Sequence, residues 1–367
     1  MSDSDDLKAL REQIDNIDIE VQSLINRRAA LAQKVADVKL KEARKSGGAD
    51  PIFYRPEREA QVLRKVKDRN EGPLNSKEVA HIFREIMSAC LALEKPLEVA
   101  YLGPEGTFTE AATIKHFGHS VLARPQNNIS DIFSAVERNL CQYGVLPVEN
   151  STEGMVTYTL DNFINSPLKI CGEVELPVNL HVLTQEGVRQ GDIVKICAHQ
   201  QALAQSRNWL LQHFPNVELE SVSSNGRAAQ MAAGNNSIAA VAGDSAAERY
   251  GLLHLASNIQ DYAKNTTRFL IVANDDVPAS GNDKTSIIVS TRNETGALLR
   301  LLQPIEEAGI SLTRIETRPS RTENWAYVFF MEFQGHHQDD EIAKVIDEIR
   351  SRAFMLKLLG SYPSAVI

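Results

Sequence analysis

Two cations interrupt an apolar helical pattern at the start of the chain. The apolar residues recur at alternating steps of three and four, at Leu7, Leu10, Ile14, Ile17, Val21, Leu24, Leu31, Val35 and Val38. Arg28 occupies one position of this pattern, and Lys39 falls within about 20° of it around the helix. Both side chains should face an interior, where unpaired charge is costly. We therefore expect a counter-anion, supplied by the protein or by a small acidic ligand.

Four turns rich in small and hydroxyl residues follow apolar runs and lead into helical patterns, at 103–109, 149–154, 199–202 and 243–246. Such turns present N–H groups and hydroxyls at helix N-termini, where anions bind. Thr107, Asn150, Ser151 and His199 are the candidate binding residues, with helix caps or turn stabilisers as the alternative. No turn has the spacing of a nucleotide-binding fingerprint. Together the turns predict a cleft for a carboxylate-bearing small molecule.

Composition restricts the partners and the compartment. The chain has a net charge of −9, whereas residues 1–96 hold 18 Lys+Arg and 17 Asp+Glu, so a nucleic-acid partner is not expected. No apolar stretch approaches the roughly 18 residues of a membrane span, and no signal-peptide pattern opens the chain. We expect a cytoplasmic protein without a membrane partner. The four cysteines form no CxxC pair, so neither disulfides nor a metal are expected.

The first 96 residues read as three helices, at about 5–45, 56–70 and 75–95. Pro56 should open the second, and Asn75 or Ser76 should cap the third. A helix of about 40 residues is roughly 60 Å long, which two shorter helices cannot cover. We therefore predict an intertwined helical homodimer.

From residue 97 the period changes to an α/β plan with a mostly parallel sheet. The predicted strands are 97–102, 143–148, 178–183, 194–198, 238–242 and 269–273, and residues 274–283 read as a linker. Beyond the linker, strands at 285–291, 310–317, 325–333 and 355–359 alternate with helices at 296–308 and 339–352. This βαββαβ order predicts a small ferredoxin-like module of a type that more often regulates than catalyses.

Motifs along the whole chain resemble the bifunctional chorismate mutase/prephenate dehydratases of phenylalanine biosynthesis. They are Arg-Glu-x-Ile at 11–14, Arg-Arg at 27–28, Gly-Pro-Glu-Gly-Thr-Phe at 103–108, Pro-Val-Glu-Asn-Ser at 147–151, Thr-Arg-Phe at 267–269 and Ile-Glu-Thr-Arg-Pro at 315–319. The resemblance implies three domains. These are an all-α mutase dimer at 1–96, a two-lobed α/β dehydratase at 97–274 built like a periplasmic binding protein, and an α+β ACT domain at 284–367.

In the first domain the resemblance implies a pericyclic rearrangement of chorismate to prephenate that needs no cofactor. Arg28 should bind one substrate carboxylate and Arg11 of the partner subunit the other, while Lys39 donates to the ether oxygen as the C–O bond breaks. Glu59 is suited to hydrogen-bond the substrate hydroxyl, with support from Arg58.

Three aligned positions depart from the best-known members of the family. Arg55 replaces a common aspartate, Cys90 a serine, and Glu94 a glutamine that contacts the ether oxygen. A carboxylate cannot donate there, so we expect mutase activity to rise as pH falls, with a Glu94 pKa raised by burial. A solvated Glu94 near the helix end is the alternative.

In the second domain the resemblance implies loss of water and CO₂ from prephenate to give phenylpyruvate. Thr267 is expected to hydrogen-bond the leaving hydroxyl, Arg268 to bind the departing carboxylate, and Phe269 to exclude water. Glu149 belongs to the same substrate-binding motif as Asn150 and Ser151.

The last domain is similar to the ACT amino-acid-binding modules. The resemblance implies that phenylalanine binds there between paired modules and inhibits the dehydratase. The matching positions lie at the start of the first helix and the end of the second strand: Gly296, Ala297, Leu298, Glu316, Thr317 and Arg318. Thr317 replaces the usual serine and keeps a hydroxyl, and Gly296 has a purely structural alternative as the residue that opens a helix.

Two other interpretations fit the sequence. The helical domain could be a dimerisation element with a silent mutase, which the departures at Arg55, Cys90 and Glu94 keep open. The second alternative is a catalytically inactive amino-acid sensor. Such a sensor would need neither the proposed mutase residues nor the proposed dehydratase residues. A prephenate dehydrogenase is disfavoured because no nucleotide fingerprint follows a predicted strand. Whether dimers pair into tetramers is left open.

Overall fold

A computed structural model describes residues 3–46, 51–262, 264–292, 294–319 and 327–366. The chain begins with three helices, α1 (Asp3–Ser46), α2 (Pro56–Asp68) and α3 (Ser76–Ala92). Pro56 is the first residue of α2, and the Asn75 side chain accepts a hydrogen bond from the Lys77 N–H at 2.7 Å. Both predicted helix starts are confirmed. Most of the predicted break between α1 and α2, residues 47–50, lies outside the described residues.

The apolar stripe of α1 faces outwards. Every described side chain from residue 5 to residue 27 is exposed, and burial begins at Arg28, where α2 and α3 approach the helix. Leu10, Ile17 and Leu24 are 56%, 57% and 59% exposed. The two shorter helices therefore cover only the C-terminal part of α1, as the length argument predicts.

The next segment folds into two lobes. The first lobe contains β1 (Glu98–Leu102), α4 (Phe108–Phe117), β2 (Leu122–Gln126), α5 (Ile129–Glu137), β3 (Tyr143–Asn150), β4 (Gly154–Met155), α6 (Thr157–Asn165), β5 (Lys169–Pro177) and β11 (Thr266–Ala273). Its sheet has the order β2-β1-β3-β11-β5, with β4 paired to β3.

The second lobe lies between β5 and β11 in the chain. It contains β6 (His181–Thr184), a short 3₁₀ turn (Gln190–Asp192), β7 (Lys195–His199), α7 (Gln200–Gln205), α8 (Arg207–His213), β8 (Glu218–Val222), α9 (Asn225–Gly234), β9 (Ile238–Ala242), α10 (Asp244–Tyr250) and β10 (Leu253–Ala256). Its sheet has the order β10-β6-β9-β7-β8. The chain passes from the first lobe to the second between β5 and β6, and it returns between β10 and β11.

Both sheets are mixed, so the predicted mostly parallel sheet is wrong. Strand β1 runs parallel to β2 and β3, but β11 runs antiparallel to β3 and β5. In the second lobe β7 is parallel to β8 and β9, whereas β6 is antiparallel to β9 and to β10. The antiparallel strands include β5, β6 and β11, which carry the chain from one lobe to the other and back.

The C-terminal module has the predicted βαββαβ order. It consists of β12 (Asp283–Thr291), α11 (Ala297–Glu307), β13 (Leu312–Pro319), β14 (Tyr327–Gln334), α12 (Asp340–Arg352) and β15 (Met355–Pro363), with sheet order β13-β14-β12-β15. The predicted strand start at 325 lies outside the described residues. One sheet face packs on α11 and α12. Ile288 and Phe330 on the other face share a core with Leu270 of the first lobe.

The segment 274–283 is packed rather than a free linker. The Arg64 guanidinium of α2 donates to the carbonyl oxygens of Ser280 at 3.0 Å and Asn282 at 2.9 Å. His336 Nε2 lies 2.9 Å from the Val277 carbonyl oxygen. These contacts fix the middle and the C-terminal part of the segment, and Asp283 already belongs to β12. Among the described helices, none combines the length and apolar character needed to cross a membrane.

Candidate functional site

A cavity of about 360 Å³ lies between α1, α2 and α3. Its lining includes seven of the predicted mutase residues: Arg28, Lys39, Arg55, Arg58, Glu59, Cys90 and Glu94. The charged lining residues are four cations and two carboxylates, so the cavity favours an anionic ligand. The helix-face argument made from the sequence is confirmed for Arg28 and Lys39, and the other five residues are those that the family resemblance implied.

Lys39 and Glu94 both line this cavity. Lys39 Nζ donates to the carbonyl oxygens of Ile52 at 3.2 Å and Phe53 at 3.4 Å, in the loop before α2. Burial raises the pKa of the Glu94 carboxyl, although Lys39 and Arg28 act in the opposite direction. The predicted direction of the Glu94 pKa is confirmed, and both cations are within electrostatic reach of it.

Glu59 is held by an arginine that the sequence reading missed. Arg84 Nε donates to Glu59 Oε1 at 3.1 Å, and its Nη1 donates to the Lys115 carbonyl oxygen at 2.8 Å. Arg84 is only 7% exposed, and burial raises the pKa of Glu59 despite this partner. The available signal was the spacing of Ala80, Arg84 and Ser88, which places an arginine on the buried face of α3.

Arg11 lies outside the cavity of its own chain. It is exposed and precedes Arg28 by 17 residues on one continuous helix, which is a distance of about 25 Å along the axis. Arg55 lines the cavity, but its guanidinium pairs with Glu57.

A chain of side-chain hydrogen bonds connects the two lobes at the crossing segments. Asn150 Nδ2 donates to Thr267 Oγ1 at 2.8 Å and to Asn265 Oδ1 at 2.9 Å. Asn265 Nδ2 in turn donates to Gln205 Oε1 at 2.9 Å, and Gln205 Nε2 donates to Thr152 Oγ1 at 3.1 Å. Two of the predicted dehydratase residues, Asn150 and Thr267, thus lie side by side. Asn265 and Gln205 were missed because no motif marks them.

The remaining turn residues have structural partners. Thr107 caps α4, accepting from the Glu110 N–H and donating to the Leu102 carbonyl oxygen at 3.1 Å. His199 caps α7 by accepting from the Gln201 N–H at 3.3 Å. Ser151 Oγ accepts from the Thr266 N–H at 3.0 Å. For these three residues the capping and turn-stabilising alternative describes the contacts seen.

Arg268 does not face the cleft, so its predicted role as carboxylate clamp is wrong for this conformation. It is 5% exposed, and its guanidinium donates to Glu173, Glu332 and Tyr362. The physical reason is strand geometry, because neighbouring residues of β11 point to opposite faces of the sheet. If Thr267 faces the cleft, Arg268 must face the C-terminal module.

Two further predicted substrate contacts also lie elsewhere. Phe269 is 1% exposed and belongs to the core formed with Val145 and Val174, so it does not wall a cleft. Glu149 pairs with Arg314 on β13 of the C-terminal module. In this structure Phe269 is a core residue of the first lobe, and Glu149 forms an ion pair between that lobe and the C-terminal module.

The predicted effector residues divide between two faces of the C-terminal module. Gly296 caps α11 with a φ of 75°, a left-handed conformation that favours glycine. The next two residues differ in exposure, since Ala297 is buried and Leu298 is 37% exposed. On β13, Thr317 is exposed, whereas Glu316 is half-buried and Arg318 pairs with Asp161 of α6 at 3.1 Å. Arg318 is therefore engaged at the contact with the first lobe.

One group of potential metal ligands occurs among the described residues, at His181, Asp244 and His254. The Asn258 N–H donates to His181 Nδ1 at 3.2 Å, which places the neutral ring's proton on Nε2, 3.4 Å from Asp244 Oδ1. Metal ligation through Nε2 would require that proton to leave. The geometry fits a histidine–aspartate contact better than a metal site.

Three family models match the chain in order. Chorismate mutase type II matches residues 10–95, prephenate dehydratase residues 99–277 and the ACT domain residues 285–351. The bifunctional chorismate mutase/prephenate dehydratases of Stutzerimonas stutzeri and Pseudomonas aeruginosa are 53% and 52% identical to the chain, each match covering 100% of both proteins. The crystal structure of prephenate dehydratase from Arthrobacter aurescens in complex with L-Phe has a TM-score of 0.67 and 31% identity, covering 73% of this chain and 90% of that chain. The chain therefore belongs to the family of bifunctional chorismate mutase/prephenate dehydratases.

Proposed function

We propose that the family's two reactions take place at the two sites described above, and that the domains are residues 1–96, 97–274 and 284–367. The enzyme rearranges chorismate to prephenate and converts prephenate to phenylpyruvate. The observation that carries the mutase assignment is the meeting of Arg28, Lys39 and Glu94 in one cationic cavity.

In the mutase cavity, catalysis rests on holding a flexible dianion in a reactive shape. Arg28 binds one carboxylate, and Lys39 turns from the loop carbonyl oxygens to the ether oxygen as negative charge develops there. Glu59, fixed by Arg84, accepts from the substrate hydroxyl, and Arg58 supports Glu59. Arg55 and Cys90 complete the wall, and protonated Glu94 supplies the second donor to the ether oxygen.

The second carboxylate is bound by Arg11 of the partner subunit in an intertwined homodimer. Two observations support this arrangement: the exposed apolar stripe of α1 and the separation of about 25 Å between Arg11 and Arg28 of one chain. A second copy that lies along α1 would cover the stripe and bring its Arg11 to the cavity.

Subunit complementation tests the shared site. Arg11→Ala and Lys39→Ala should each abolish mutase activity, and their mixture after dissociation and reassociation should regain about a quarter of the wild-type rate. This fraction follows because half of the dimers are mixed and each mixed dimer has one intact site. A mixture that stays inactive while mixed dimers form would refute the shared site.

In the dehydratase, Thr267 donates a hydrogen bond to the leaving hydroxyl of prephenate. The hydrogen bond from Asn150 holds the Thr267 hydroxyl in place. Asn150, Asn265 and Gln205 link the lobes and close the site around the substrate. Thr107, Ser151 and His199 position the backbone N–H groups of the turns rather than bind directly. Departure of CO₂ and water is driven by formation of the aromatic ring.

Matched variants of Thr267 test this assignment. Thr267→Val removes the hydroxyl and should lower dehydratase kcat by roughly 100-fold, whereas Thr267→Ser should retain activity within about tenfold. Mutase activity in the same protein reports on folding. Equal activity of the valine and serine variants would remove Thr267 from the mechanism.

Phenylalanine is the proposed effector, bound where the start of α11 and the exposed face of β13 meet a second ACT module. Gly296, Leu298 and Thr317 are the accessible predicted contacts, while Arg318 acts through the first lobe. Isothermal titration with phenylalanine against Thr317→Ser and Thr317→Val tests the site. The serine variant should bind within a few-fold of wild type, and unchanged binding by the valine variant would contradict the assignment.

A further inference from the structure

A buried polar cluster joins the strand of Thr267 to the C-terminal module. We call Arg268, Glu173, Lys284, Glu332 and Tyr362 the Arg268 cluster. Arg268 Nε and Nη2 donate to Glu173 Oε2 at 2.8 and 2.6 Å, and Nη2 also contacts Glu332 Oε2 and Tyr362 Oη. Arg268 and Glu173 come from the first lobe, and the other three residues come from the module.

The module's residues in this cluster are themselves fixed. Tyr362 Oη donates to Glu332 Oε2 at 2.8 Å, and Thr313 Oγ1 donates to Glu332 Oε1 at 2.8 Å. Lys284 Nζ lies 2.8 Å from Glu173 Oε1. Burial alone would raise the pKa of Glu332, but Arg268 and Lys284 hold it at about 2. Two cations and two carboxylates therefore balance in a buried site.

The cluster lies directly beside Thr267 in the chain. Arg268 follows Thr267 in β11, and the register between β11 and β3 shifts between Arg268 and Phe269. Such a bulge bends the strand locally and can redirect a side chain. Because adjacent side chains alternate between faces, an anchored Arg268 fixes the direction in which Thr267 points.

We propose that Arg268 is a positioning residue for the dehydratase and that Glu332 and Tyr362 of the C-terminal module hold it in place. This proposal rests on the assignment of Thr267 to catalysis. The module is then part of the catalytic apparatus, because without its anchor the Thr267 hydroxyl loses its alignment. The rival reading is that Arg268 leaves the cluster and binds the substrate carboxylate.

The two readings predict different kinetics for variants in the full-length enzyme. If Arg268 positions Thr267, then Arg268→Met and Glu332→Gln should each lower dehydratase kcat by about tenfold with KM for prephenate within about twofold. Each single variant leaves one unbalanced buried charge, and the double variant restores the balance. The dehydratase kcat of the double variant should therefore be no lower than that of the less active single variant. Two independent tenfold effects would instead lower kcat by about 100-fold.

Lys357→Met is the matched control. Lys357 Nζ donates to the carbonyl oxygens of Phe163 at 2.8 Å and Ile164 at 3.1 Å, so it joins the same module to the same lobe away from β11. This variant should keep dehydratase kcat within about twofold. Mutase activity of the same proteins reports on folding. If Arg268→Met does not fold, Tyr362→Phe decides, because it removes one hydroxyl and should lower kcat at least about threefold.

Several results would overturn the proposal. A KM raised at least tenfold in Arg268→Met with normal kinetics in Glu332→Gln would make Arg268 a substrate ligand. Unchanged kcat in both Glu332→Gln and Tyr362→Phe would remove the module's role, and so would a Lys357→Met variant as impaired as Glu332→Gln. The Thr267→Val measurement is made separately. If that variant keeps normal dehydratase activity, the assignment of Thr267 to catalysis is wrong, whatever the Arg268 cluster variants show.

Discussion

Replacing Glu94 by glutamine tests whether a protonated carboxyl at this position donates to the ether oxygen of chorismate. Glu94 follows the end of α3 and is half-buried close to Arg28 and Lys39. Burial raises its pKa, and the two cations lower it. A bound dianion would offset those cations and leave burial as the dominant effect, so the pKa should rise further in the complex.

The magnitude follows from the hydrogen bond that only the protonated form can donate. A hydrogen bond to a charged group contributes about 1.5–3 kcal/mol, or roughly 10- to 100-fold in rate when it forms in the transition state. Above the Glu94 pKa the protonated fraction falls tenfold per pH unit. Wild-type mutase activity should therefore decrease as pH rises, until the reaction without this donor sets a floor.

Chorismate disappearance, followed from pH 5 to pH 9, gives the assay. Glu94→Gln should lose this pH dependence and exceed wild type by roughly 10- to 100-fold at high pH, because an amide donates at every pH. Cys90→Ser lines the same cavity and should keep the wild-type profile. Identical pH profiles for Glu94→Gln and wild type would refute the reasoning.

Three further predictions concern α1, Arg84 and His116. Leu24→Asp should weaken the pairing of α1 between subunits at least about 100-fold and abolish mutase activity at low protein concentration. Gln22→Asp, about 160° around the helix from Leu24, should do neither. Equal mutase activity of the two variants across a dilution series would contradict this prediction. Arg84→Met should lower mutase kcat and destabilise the fold by about 3–5 kcal/mol by leaving Glu59 unpaired, which urea unfolding would measure, and an unchanged midpoint would contradict it. Burial, assisted by Arg84, lowers the pKa of His116 from 6.5 to about 3. Between these two pH values His116 therefore binds a proton in the unfolded protein but not in the folded one. The free energy of unfolding should thus fall by about 1.4 kcal/mol more per pH unit in wild type than in His116→Gln as pH drops below 6.5, and parallel curves would refute this.

The sequence predicted the mutase cavity better than the dehydratase site, for a geometric reason. Arg28 and Lys39 lie on one helix, where spacing alone determines a shared face. Thr267 and Arg268 lie on a strand, where adjacent residues cannot face the same side, and the alternation rule could have excluded Arg268 from the cleft.

Other features depend on contacts that no local pattern carries. Arg84 acquires its role only because α3 packs against α2 and α4, and Asn265 meets Asn150 only because β11 returns antiparallel to β3. The exposed edge strands β2, β8 and β10 lack a clear apolar alternation and were missed. The βαββαβ module was predicted well, because its helices and strands are regular and amphipathic.

The most direct test of the central claim supplies the purified full-length enzyme with chorismate alone and follows chorismate, prephenate and phenylpyruvate together. Wild type should form phenylpyruvate, and phenylalanine should suppress this second step. Lys39→Ala should leave chorismate intact yet convert added prephenate, and Thr267→Val should accumulate prephenate. Loss of both reactions in either variant, or phenylpyruvate formation from chorismate by both variants, would contradict two separate sites in one chain.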